Sequence, residues 1–243
     1  MGIHAEVEGL TSTALAREVA IDLPVGSYVN LGIGLPQSVS GQVTPGQEVT
    51  FHSENGILGL GPGAAPGEED PDLIDAGKSP ATLVAGGSYV SHTDSFVIVR
   101  GGHLDVCVLG AFEVSVHGDL ANWTDGQGVP AVGGAMDLAV GALRTVVLMR
   151  HNDREGRPKL VSRCILPLTA PNCVDRVYTD LGIFEPAGGR FRVLALVTGL
   201  SVDDLNEPDV EYFAEALPTR LPRAEGSPIS YRPRPPAGTA RLA

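Results

Sequence analysis

Apolar positions along the chain fall into short groups with two kinds of spacing. Leu15, Val19 and Leu23, with Ala16 and Ala20 between them, recur at steps of three and four, which marks one face of a helix. Thr11 or Ser12 supplies a capping oxygen for its first turn, and Pro24 with Gly26 ends it. The next group, SYVNLGIGLPQSVSGQV at 27–43, predicts a strand over Tyr28–Leu31, a tight turn over Gly32–Pro36 and a second helix from Gln37. VTFH at 49–52 predicts a short strand that runs into the turn SENG. Five further apolar runs follow, several of them continuous rather than alternating: ATLVA (81–85), FVIV (96–99), LDVCVLGAF (104–112), RTVVLM (144–149) and VLALV (193–197). Runs of this kind suit strands buried on both faces of a sheet. The expected fold class is α/β: an open mixed, largely parallel sheet with helices on both faces and some antiparallel additions.

The punctuation between these groups sets the domain organisation. AAPGEEDPDLIDAGKSP at 64–80 is acidic and rich in proline and glycine, the composition of a surface loop. No internal repeat occurs. Residues 217–243 differ in character, with six of the nineteen prolines, five arginines and one acid, Glu225. That segment carries about +4 and the remainder about −16. The expectation is one domain over 1–216 and a Pro/Arg-rich extension over 217–243 that lies on the surface.

Composition narrows the function classes. The 243 residues suffice for a substantial core, and 43% are hydrophobic. A net charge of −12 argues against nucleic acid or an anionic membrane as partner. The N-terminus MGIHAEVEGL lacks the basic and apolar regions of a secretion signal, and no apolar run is long enough to span a bilayer. Cys107, Cys164 and Cys173 are odd in number and widely spaced, which favours reduced thiols and a cytoplasmic location.

Several motifs compete for the chemistry. GIG at 32–34 lacks the third glycine of a dinucleotide fingerprint, because Gln37 stands there. His52 and Ser53 are neighbours on a strand and point to opposite faces, so they do not form a pair. Ser88, His92 and Asp94 in GGSYVSHTD (86–94) read better as a polar loop than as a triad. The histidines show no metal-ligand spacing, so no metal is expected. VGGAMDLAVGA (132–142) places two glycines before a helix-like run over Ala135–Ala142, a turn whose amides are able to face an oxyanion. SENG offers one carboxylate, Glu54, at the head of a glycine-rich hinge. A carboxylate on one loop and amide donors on another suit acyl transfer through a carboxylate nucleophile.

SENGILGLGP (53–62) resembles the signature of the family I coenzyme A transferases. NLGIGLP (30–36), GGSYVSHTDSFVIVRGGHLDVCVLGAFEVS (86–115), GDLANW (118–123), GGAMDL (133–138) and PLT…CVDRVYTDLGIFE (167–185) follow in that family's order, so the resemblance covers roughly 10–205. It implies that Glu54 is the covalent nucleophile, that Gly134 and Ala135 are oxyanion or CoA contacts, and that Asn55 and Gly56 aim Glu54. Lys78 would meet a CoA phosphate. CoA would be substrate and covalent intermediate, with no permanently bound cofactor. The chain resembles the B part of the family and would work with an A-type partner chain, in an expected A2B2 assembly. The implied reaction moves CoA from succinyl-CoA to a 3-oxo acid, with 3-oxoadipate favoured by VPAVGGAMDLAVGA and RCILPLTAPNCVDRVYTDL. Acetoacetate is the alternative acceptor. CoA thioester hydrolysis on the same fold and a non-enzymatic binding role are the other readings.

Overall fold

The computed structural model describes residues 7–126, 131–205, 209–221 and 230–231. Three α-helices occur among them: α1 (Ser12–Asp22), α2 (His92–Arg100) and α3 (Ala135–Gly141). The strands in chain order begin with β1 (Val7–Glu8), β2 (Tyr28–Leu31), β3 (Thr50–Ser53), β4 (Ile57–Leu60) and β5 (Leu83–Tyr89). Next come β6 (Val106–Leu109), β7 (Glu113–Ser115), β8 (Leu120–Ala121), β9 (Arg144–Leu148) and β10 (Leu160–Val161). The last six are β11 (Val174–Tyr178), β12 (Gly182–Ala187), β13 (Arg190–Val197), β14 (Tyr212–Phe213), β15 (Thr219–Leu221) and β16 (Ser230–Tyr231).

The main sheet runs in the order β14-β13-β12-β11-β9-β6-β2-β3-β4-β5, with β15 alongside β13. Its centre, β11-β9-β6-β2-β3, is parallel throughout. Antiparallel pairs flank it, β3-β4-β5 on one side and β11-β12-β13 on the other. All four residues of β6 are buried, as are Thr145–Leu148 of β9, which explains why these runs are apolar without alternation. Helices cover both faces. Arg144 donates to Asp22 on α1, whereas the next residue, Thr145, donates from Oγ1 to the Ala139 carbonyl on α3 at 3.1 Å. Adjacent strand residues point oppositely, so α1 and α3 lie on opposite sides.

The sequence features of α1 act as expected. Thr11 Oγ1 accepts from the Ala14 N–H at 3.2 Å, and Leu15, Ala16, Val19 and Ala20 are buried. Asp22 at its last turn accepts from Arg144, Arg176 and Tyr178 and locks the helix to β9 and β11. Burial favours its neutral form, but those three donors hold the carboxyl below the usual range.

Two expected elements differ. FVIV (96–99) is not a strand but the core of α2. Its β-branched residues suggested a strand, yet Ser91 caps the segment through the Asp94 N–H at 3.0 Å, and burial of Ser95, Phe96 and Val99 with Val97 outside has helical period. The segment expected as a helix from Gln37 is a 3-10 helix over Leu35–Gln42. Of the extension expected over 217–243, the described part includes β15, which pairs in parallel with β13, and β16, which pairs with β1. The rest lies outside the described residues.

Candidate active site

The carboxyl ends of the parallel strands form one edge of the sheet, where loops of this architecture hold ligands. β3 delivers Ser53 to that edge, and the chain turns at once, with the Gly56 N–H donating to the Ser53 carbonyl at 2.9 Å. Glu54 sits within this turn, half-buried. Gly56 has φ +119°, and a Cβ there would lie 2.3 Å from the Val90 carbonyl oxygen. Only glycine fits this hinge. The turn is fastened to the loop that follows β4. Asn55 Nδ2 donates to the Ile74 carbonyl at 2.7 Å, and Ser53 Oγ accepts from the Ala76 N–H at 2.9 Å. Gln37 adds a bond to Asp75 at 2.8 Å. Lys78, two residues on from Ala76, is exposed in the left-handed region at φ +64°.

A second loop meets the turn. A Cβ on Gly134 would lie 2.7 Å from Phe96 Cζ and 3.8 Å from Glu54 Cγ, so backbone and carboxylate stem approach closely here. Gly133 before it has φ +52°. The Ala135 N–H is engaged by the Val132 carbonyl at 3.2 Å, whereas the Gly134 N–H has no acceptor among the described residues. The residues of SENG and GGAMDL, eighty positions apart in the chain, are therefore brought together, and Lys78 lies in the loop tethered to them.

A buried polar chain underlies Glu54. The Asn30 side-chain amide, at the centre of β2 and fully buried, donates to Glu54 Oε2 at 3.2 Å. It also lies 3.1 Å from His52 Nδ1 and 3.2 Å from the His52 carbonyl. His52 Nε2 lies 2.8 Å from Ser95 Oγ on α2. Burial of His52 pushes its imidazole pKa down to about 4, so it is neutral at physiological pH. Cys107 lies beneath, with its thiol pushed up by burial and then by the Glu54 charge. Sequence reasoning passed over Asn30 and Ser95. The available signal was an asparagine inside the apolar strand YVNL, which has no reason to be buried without partners.

A separate cavity of about 1370 Å³ opens at the end of β9, lined among others by Arg150, Arg154, Lys159 and Arg163. Burial lowers Lys159 to about 8 against the pull of Asp153 and Asp180. None of the expected site residues lines it.

A family described as Coenzyme A transferase matches residues 13–207 of the chain. The chain belongs to that family. The transferase is 50% identical over 198 residues to the B subunit of 3-oxoadipate CoA-transferase from Acinetobacter baylyi, covering 81% of this chain and 91% of that protein. It is 43% identical over 195 residues to the B subunit of succinyl-CoA:3-ketoacid coenzyme A transferase from Helicobacter pylori, covering 80% and 94%. Its fold matches that of acyl-CoA transferase YdiF from Escherichia coli O157:H7 with a TM-score of 0.70 at 15% identity, over 90% of this chain and 45% of that one. The transferase thus corresponds to the B-type polypeptide of enzymes built from two kinds of subunit. No helix among the described residues is long and apolar enough to cross a membrane.

Proposed function

We propose that this chain moves CoA from succinyl-CoA to 3-oxoadipate, together with an A-type partner, with Glu54 as the covalent nucleophile. The carrying observation is the meeting of Glu54 with the Gly134 backbone at the carboxyl edge of the sheet. A half-buried carboxylate beside a bound thioester is less solvated than one in water and attacks better. Glu54 adds to the acyl carbon of succinyl-CoA, and CoA leaves as thiolate from an acyl-glutamyl anhydride. The thiolate then attacks the glutamyl carbon and expels succinate, leaving a Glu54–CoA thioester. The 3-oxo acid attacks that thioester, and the returning thiolate releases 3-oxoacyl-CoA and regenerates Glu54. Group-transfer energy stays in covalent form, so the cycle uses no permanent cofactor and is ping-pong.

Each step builds charge on a carbonyl oxygen. The Gly134 N–H, without an acceptor among the described residues, is the first candidate donor to it, and the Ala135 N–H serves once it leaves the Val132 carbonyl. Asn55 and Gly56 aim the turn through the Ile74 bond and the positive φ. Lys78 is the candidate contact for a CoA phosphate. The relatives named as B subunits support an obligate A-type partner, with A2B2 as the simplest symmetric assembly.

The 50% identity to a 3-oxoadipate enzyme favours that acceptor over acetoacetate, which the 43% relatives acting on 3-ketoacids keep as the second reading. The deciding experiment compares kcat/KM for 3-oxoadipate and acetoacetate with the co-purified A–B enzyme. A preference for 3-oxoadipate supports the proposal, and a preference for acetoacetate replaces the acceptor.

A further inference from the structure

The buried chain Ser95–His52–Asn30 ends on a reacting atom, and its hydrogen-bond logic is self-consistent. The Asn30 nitrogen faces the Glu54 carboxylate and the His52 carbonyl, both of which only accept, so this side of the side chain must be the NH2 group. His52 Nδ1 therefore meets a donor and must present its lone pair. That puts the imidazole proton on Nε2, where Ser95 Oγ accepts it at 2.8 Å. Ser95 and Asn30 are fully buried and His52 is 1% exposed, so no water competes along the chain. Glu54 Oε1, in contrast, has no hydrogen-bond partner among the described residues. The two carboxylate oxygens are inequivalent before any substrate arrives.

We infer that Asn30 is a catalytic residue that divides the labour of the two Glu54 oxygens, and that His52 and Ser95 are the positioning residues that hold its amide in place. This assignment rests on Glu54 being the nucleophile. Oε1, free of donors, keeps its electron pair available and forms the bond to the acyl carbon. Oε2 stays on the enzyme as the carbonyl oxygen of the anhydride. When the CoA thiolate adds to Cδ, the C=O pair moves onto Oε2. It returns as the Cδ–Oε1 bond breaks, and the carboxylate product leaves with Oε1 and that bond's electrons. The product is a glutamyl thioester whose carbonyl is Cδ=Oε2. The Asn30 N–H faces the oxygen on which charge appears, and it is set there by the fold rather than by substrate. Such a donor acts on the barrier more than on binding.

The test uses the co-purified A–B enzyme and succinyl-CoA without acceptor, following the rate at which the CoA adduct forms by intact mass. Asn30→Ala is expected to slow adduct formation and kcat by about 100-fold, the scale for loss of one preorganised donor, with KM for succinyl-CoA within a few-fold of the parent. Ser95→Ala changes one buried oxygen three hydrogen-bond links from Glu54 and is the variant least prone to misfold. It is expected to lower kcat by about tenfold with KM and assembly unchanged. A loss of melting temperature with parental kcat in Ser95→Ala would mark the chain as structural and overturn the positioning role. Parental adduct formation in Asn30→Ala would overturn the catalytic role. If the adduct forms on a residue other than Glu54 in the parent enzyme, the functional reading itself fails, and the two failures are thereby distinguished.

Discussion

Acid should destabilise this fold steeply well above the range in which carboxylates protonate. His52 and His151 are each 1% exposed, and burial lowers both imidazoles from an ordinary 6.5 to about 4. Between those values the unfolded chain binds a proton at each site and the native chain does not. Stability contributed by the neutral buried form is therefore fully present above pH 6.5 and declines as pH falls toward 4. A shift of this size corresponds to about 3 kcal/mol per histidine over the whole window. In the middle of it, from about pH 6 to about pH 5, both together remove roughly 2 kcal/mol. Glu18, whose carboxyl burial raises, binds its proton earlier in the native state and offsets part of this loss. Urea denaturation at a series of pH values reads the slope directly. His151→Gln, at a residue that lines the separate cavity rather than the Glu54 turn, should remove about half of it. A stability that stays flat between about pH 7 and about pH 5 would refute the claim that both imidazoles are buried neutral.

Three further perturbations probe other links. Gly56→Ala forces a side chain to φ +119° and against the Val90 carbonyl, so it should cost about 2–3 kcal/mol in denaturation and most of kcat. Thr11→Ala removes the cap of α1 and should cost about 1 kcal/mol, read as a lower melting temperature with activity retained in the assembled enzyme. Lys78→Gly keeps the left-handed backbone and deletes only the cation. Kinetics should show a raised KM for succinyl-CoA at parental kcat, and an unchanged KM would remove Lys78 from the CoA contacts.

Much of this architecture was readable because each element obeyed local rules. β2 and α1 match their expected positions, as their apolar periods and caps agree with the tertiary structure. FVIV failed for a physical reason. Val and Ile favour strands weakly, and one buried helical face with a serine cap outweighed that preference. At the site, glycine was the legible signal. Gly56 and Gly133 do adopt positive φ, and Gly134 does approach Glu54. Asn30, His52 and Ser95 were illegible as a unit. They come from β2, β3 and α2, and only the parallel pairing of Asn30 with His52 and the packing of α2 join them. Misreading α2 as a strand also hid Ser95, since its helical turn is what aims the hydroxyl at His52.

The central claim is that Glu54 carries CoA. The co-purified A–B enzyme, mixed with succinyl-CoA in the absence of a 3-oxo acid and mapped by peptide mass spectrometry, tests it most directly. The account predicts that the peptide containing Glu54 gains one CoA less one water, that borohydride or added 3-oxo acid removes it, and that Glu54→Ala abolishes it together with turnover. An unmodified Glu54 peptide during full turnover, or full turnover by Glu54→Ala, would contradict it.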